Sequence, residues 1–168
     1  VMKLFELTPA STGLSERAAR EAGYAAESAL LFSPDHATYY PGAKNMTLKV
    51  VFDRTDGRIL GAQAVGFGGT EKRIDVLATA IRAGFTAEEL TELDLCYAPP
   101  YSSAKDPVNM AGYVIGNILR GTVRQHAWKD VEKLADDDNA LFLDVQTRGE
   151  YDAAHLAGAV NIPVDELR

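Results

Sequence analysis

Apolar and polar positions change period along the chain. In residues 47–52, Leu48, Val50 and Phe52 alternate with Thr47, Lys49 and Val51, the two-residue period of a strand. Asp56-Gly57 supplies a turn, and residues 59–67 return as the second arm of a hairpin. Upstream, AAESALLFSP reads as a strand ending at Pro34, and STGLSERAAREAGY as a loop and short helix capped by Ser15. From residue 70 the period lengthens. Ile74, Leu77, Ala78 and Ile81 fall on one helical face, with Thr70 as a candidate cap. Thr86, with Glu89 three residues on, makes a capping box for a second short helix. Asp106-Pro107 starts a third helix, with a carboxylate cap and proline at the first position. Val108, Ala111, Ile115 and Ile118 form its apolar stripe, and Arg120-Gly121 suits its end.

A boundary is expected at about residues 121–127. Beyond it, WKDVEKLADDDN predicts a short helix and a solvated acidic loop, and ALFLDV predicts a buried strand. Thr147 and Glu150 repeat the capping-box spacing. Strands followed by helices imply an α+β first domain rather than a regular βαβ array. The expected domains are residues 1–121 and 122–168.

Composition narrows the function classes. The 168 residues are 46% hydrophobic, enough for a real core. A net charge of −7 argues against a nucleic-acid or anionic-membrane partner. No apolar run approaches the roughly 20 residues that span a bilayer. One cysteine rules out an intrachain disulfide, and three scattered histidines give no metal site. A reducing cytoplasm is the default location.

The chemistry-bearing residues concentrate in two loops. Cys96 has no histidine near it in sequence and reads as a small buried hydrophobe. The glycines of GFGGTEKRID fit neither G-x-x-x-x-G-K-[ST] nor G-x-G-x-x-G and read as a strand-end turn. His36 reads as a surface residue or a hydrogen-bond partner. Tyr39, Tyr40, Tyr97 and Tyr101 differ, because Pro41, Pro99 and Pro100 stiffen the loops that carry them. A phenol offers an apolar face, a hydrogen-bond donor and a proton with pKa near 10. A merely packed aromatic corner is the competing reading.

The segment GTEKRIDVLATAIRAGFTAEELTELDLCYAPPYSSAKDPVNMAGYVIGNILRG resembles the C-terminal dimerisation domain of FAD-dependent pyridine nucleotide-disulfide oxidoreductases. The nearest subgroup is coenzyme A-disulfide reductase with the NADH-dependent persulfide reductases. ASTGLSERAAREAGY and YYPGA are similar to earlier parts of the same domain, so the resemblance covers about residues 1–121. ALFLDVQTRGEYDAAHLAGAVNIPVDEL is similar to the first third of a rhodanese domain, with Gln146 where that family usually carries arginine.

The resemblance implies a mostly antiparallel sheet with helices packed on one face, followed by a truncated α/β rhodanese-like tail. It implies a homodimer in which this domain lends Tyr101, and Tyr40 or Tyr39, to the partner subunit's active site. Ala98, Pro99 and Pro100 would run near the partner's flavin. FAD and NAD(P)H would serve the parent enzyme, bound mainly by other domains, with none expected in this piece alone. The substrate would be coenzyme A disulfide, a persulfide, a polysulfide or oxygen. Sulfur transfer by the parent's rhodanese part and a non-catalytic oligomerisation module are the alternatives. Two further expectations concern packing. Val108, Ile115 and their apolar neighbours should drive dimer formation. The strand at 141–145 should lack a partner in its own sheet and dock or swap elsewhere.

Overall fold

The computed structural model describes residues 1–137 and 139–167, so Asp138 of the acidic loop and Arg168 at the end of the second expected domain lie outside the described residues. The chain forms two compact units, Val1–Gln125 and His126–Arg168.

The first unit is built on a four-stranded antiparallel sheet. Its strands are β1 (Thr8–Gly13), β2 (Ala26–Pro34), β3 (Asn45–Asp53) and β4 (Ile59–Gly66), in the order β1-β4-β3-β2. The expected hairpin is β3–β4. Its turn is closed by Gly57 N–H donating to Asp53 O (2.8 Å), with Gly57 at φ 76°. That backbone conformation suits a residue without Cβ. The strand β1, TPASTG, takes in residues 11–13, which read as part of a loop. Its residues are small, so no alternation of bulky groups marks it, and its order comes from pairing along β4.

Helices α2 (Thr70–Ala83) and α4 (Pro107–Leu119) cover one face of this sheet, and α3 (Ala87–Glu92) packs against α4. Leu48, Val50 and Phe52 point into that layer, where Ile74, Leu77, Leu90, Val108, Ala111 and Ile115 meet them. The chain's alternation sends Val51 to the opposite face. There the short helix α1 (Glu16–Glu21) buries it with Ala19, Ala26 and Leu60. Val108 and Ile115 are fully buried in the chain's own core. They cannot form a dimer face, contrary to the expectation from their stripe; the sheet is their partner.

The predicted caps of α1, α3 and α4 are present. Ser15 Oγ accepts from Ala18 N–H (3.2 Å), Thr86 and Glu89 close their box, and Asp106 Oδ1 accepts from Val108 N–H (3.0 Å). Helix α2 differs. Its cap is Gly69 at φ 69°, and Thr70 is buried inside the helix, donating to Thr8 O (2.9 Å). Thr70 therefore ties α2 to β1 instead of ending the helix.

In the second unit, α5 (Trp128–Ala135) precedes β5 (Leu143–Asp144), α6 (Arg148–Ala153) and β6 (Val160–Asn161). The strands β5 and β6 pair in parallel. The expectation that the 141–145 strand lacks a partner is thus wrong: the segment after α6 returns beside it. Asn161 Nδ2 donates to Asp144 O (3.2 Å) and Gln146 O (2.9 Å), fixing the return.

Candidate functional site

The two tyrosine loops lie side by side at one end of the first unit. The earlier loop is closed at its neck by Asp35 and Lys44. Asp35 N–H donates to Lys44 O (2.9 Å), and Asp35 Oδ1 accepts from Lys44 N–H (3.0 Å). His36 sits 2.8 Å from Asp35 Oδ1 through Nδ1 and edge-on to Tyr40, with ring centroids 5.9 Å apart. Of its two sequence readings, the hydrogen-bond partner is the one observed.

The later loop turns at Ala98. Ala98 O accepts from Tyr101 N–H (2.9 Å) and Ser102 N–H (3.1 Å). Pro99 and Pro100 occupy the middle of this turn, where no backbone donor is missed. Ala37 N–H then joins the loops by donating to Ser102 O (3.1 Å).

The predicted tyrosines are held outward. Tyr39 is 74% exposed, Tyr101 72% and Tyr40 43%. Among the described residues, the Tyr101 and Tyr40 hydroxyls have no hydrogen-bond partner. Tyr39 does: its hydroxyl lies 2.5 Å from that of Tyr97, 58 residues away. The hydrogen bond with Tyr39 holds Tyr97 above the ordinary phenol range, with desolvation and the charge of a nearby ionised Tyr39 adding to the effect.

A cleft of about 450 Å³ opens beside Tyr101, lined also by His36, Lys72, Cys96 and Pro100. Cys96 is exposed, not buried as its apolar neighbours suggested. The loop leaves α3 at the surface, so nothing packs over the thiol. Tyr40 does not line this cleft; its neighbour His36 does.

Sequence reasoning passed over Arg73, which is buried with Asp106 beneath both loops, their charged groups 3.0 Å apart. A signal existed: Arg73 stands three residues after Thr70 and four before Leu77, inside the apolar face of α2. The glycine just before α2, Gly69, makes room for this arginine. A Cβ on Gly69 would meet Arg73 Nη1 at 2.2 Å, and Gly69 O accepts from that nitrogen (3.2 Å). With the arginine filling it, the turn offers no cradle for a dinucleotide phosphate. The Ala98-Pro99-Pro100 edge is apolar and stiff, and its side chains offer such a cofactor no hydrogen-bond donor or acceptor.

The family model for the pyridine nucleotide-disulphide oxidoreductase dimerisation domain matches residues 2–107. The chain belongs to that family. A rhodanese-like domain model matches residues 127–168. A coenzyme A disulfide reductase of Staphylococcus haemolyticus is 45% identical over 113 residues, 67% of this chain and 25% of that protein. The crystal structure of reduced Bacillus anthracis CoADR-RHD aligns with a TM-score of 0.91 and 42% identity, over 99% of this chain and 30% of that one. A NAD-dependent persulfide reductase from A. fulgidus gives 0.88 and 39%, over 98% and 29%. The chain therefore spans about a quarter of the curated relatives' length and under a third of these structures. Among the described residues, no helix is long and apolar enough to cross a membrane.

Proposed function

We propose that this chain is the dimerisation part of a flavin- and NAD(P)H-dependent reductase acting on a disulfide, coenzyme A disulfide or persulfide, and that it works as a homodimer. In this reading residues 1–121 form the interface domain and residues 122–168 begin a rhodanese-like one. The protein works in the cytoplasm, where its exposed thiol stays reduced. Tyr101, with Tyr40 or Tyr39, faces the partner subunit's reaction centre. The observation that carries the reading is Tyr101 itself, a phenol held 72% exposed on a two-proline turn with both ends bonded down. A side chain with no packing role, on a stiff support, suits use by a second molecule.

When bound, the flavin supplies the electrons. This chain's residues manage the departing sulfur. Attack on an S–S bond leaves one sulfur in a mixed disulfide and expels the other as a thiolate, which departs faster when protonated or hydrogen-bonded. In this reading Tyr101 supplies that proton, and the stiff loop keeps its hydroxyl ready before substrate arrives. In the same reading Ala98, Pro99 and Pro100 would back the partner's flavin and would keep water from it.

Tyr101→Phe in the full-length enzyme tests this. Turnover should fall about 10²-fold, within the range of a single proton-transfer group, while flavin content and dimer formation stay unchanged. Unchanged turnover would remove the lending role. A second reading draws on the rhodanese-like match: the parent also moves sulfane sulfur, which a thiosulfate sulfurtransferase assay on the full-length protein would detect.

A further inference from the structure

The most deeply buried ion pair among the described residues lies beneath the tyrosines. Arg73 is 1% exposed and Asp106 3%. Burying two charges is costly, and well-packed apolar residues of similar volume are often no less stable. A buried ion pair is therefore weak evidence for a stability device.

The guanidinium reaches three separate segments besides its own helix. Nε donates to Asp106 Oδ1 (3.3 Å) and Oδ2 (3.2 Å), at the start of α4. Nη2 donates to Ser102 Oγ (3.3 Å), the residue after Tyr101, and to Asp35 O (2.9 Å), at the neck of the Tyr39–Tyr40 loop. Nη1 donates to Gly69 O at the start of α2. Ser102 Oγ in turn donates to Asp106 Oδ2 (2.7 Å). One planar cation thus bonds both tyrosine loops and α2 at once. Above it, the Tyr39 and Tyr97 hydroxyls meet across the same two loops.

We infer that Arg73 is a positioning residue: its guanidinium holds the 35–44 loop against the 97–106 loop in the one register that pairs Tyr39 with Tyr97 and presents Tyr101. The inference deepens the reading of these tyrosines as reactive groups and rests on it for its functional meaning. Its geometry can be tested without turnover.

Arg73→Lys is the chosen variant. An ammonium keeps the charge opposite Asp106 but lacks the fork that reaches Asp35, Ser102 and Gly69 together. The readout is the phenolate absorbance titration of the 168-residue chain, with far-ultraviolet circular dichroism to monitor folding. In the wild type one tyrosine should titrate late, and Tyr97→Phe should remove that step. In folded Arg73→Lys, the late step should return to the ordinary range near 10, and the nuclear Overhauser contact between the Tyr39 and Tyr97 rings should be lost. A folded Arg73→Lys that keeps both signals overturns the inference. So does a wild type with no late step. If Arg73→Lys does not fold, Ser102→Ala decides, since it removes one bridging hydroxyl and no charge. The contact should weaken, and an unchanged contact and titration overturn the proposal. Failure of Tyr101→Phe to slow the full-length enzyme would instead strike the tyrosine reading and leave these spectra as they are.

Discussion

Two capping boxes in this chain are written with the same residues and end differently. Thr86 with Glu89 opens α3, and Thr147 with Glu150 opens α6. In both, the threonine N–H donates to the glutamate (2.7 and 3.0 Å), and both carboxylates sit below their ordinary range through bonds from that threonine. Yet α3 buries Ala87 and Leu90 in a continuous core, while α6 buries nothing. In the second unit only Ala159 is buried among the described hydrophobic residues, and Leu143, Val145 and Val160 are 39–48% exposed. The same local signal starts a helix in either place. Whether the helix contributes to a cooperative core depends on what its apolar face meets.

The largest test of this contrast is truncation in each unit. Phe52→Ala in the first unit should cost about 3–5 kcal/mol by chemical denaturation, as expected for a fully buried aromatic. Val160→Ala should cost under about 1 kcal/mol, because nearly half of that side chain already meets solvent. Comparable costs would mean that the second unit has a core of its own.

The caps come next in size. Thr86→Ala should lower the first unit's stability by about 1 kcal/mol, visible in the denaturation midpoint. Thr147→Ala removes the same bonds, so amide exchange should quicken within α6 while the first unit's midpoint holds. A shift of that midpoint by Thr147→Ala would show the two units unfolding together.

The smallest effect is electrostatic. Burial alone would raise Glu16, but bonds from Lys49 and Ser28 and the charges of Lys49 and Arg20 outweigh it and hold the carboxyl below 4.5. A carboxyl lowered on folding contributes fully above about pH 4.5, and that contribution is lost as pH falls through its lowered folded value. Acid denaturation of the first unit should therefore flatten in Glu16→Gln. Glu150 is lowered only from within its own helix, so Glu150→Gln should leave that acid profile unchanged.

The same contrast explains what the sequence disclosed. Ser15, Thr86, Asp106 and Thr147 act on backbone two or three residues away, so their roles were legible from spacing. The alternation of β3 gave its core face, because a strand's period survives whatever covers it. The strand β1 was not legible, since its order comes from β4, some fifty residues on. Cys96 was misread because exposure depends on whether anything packs over a loop. Arg73 was missed for the opposite reason: a charge on a helix reads as facing water unless its distant partners are known. The stiffness of the tyrosine loops was visible in their prolines, while the meeting of Tyr39 with Tyr97 required the fold.

Asp106 begins α4 through Val108 N–H and also receives Arg73 and Ser102. A residue with two such duties has few routes of change. Asparagine keeps the helix start but strands the arginine's charge, and alanine loses both. Replacing the arginine first leaves a buried carboxylate without its counter-charge. Any drift at this position therefore needs two coordinated changes, with an unfavourable chain between them. The chemistry at the loop tips can vary from one descendant to another while the bolt beneath them stays fixed.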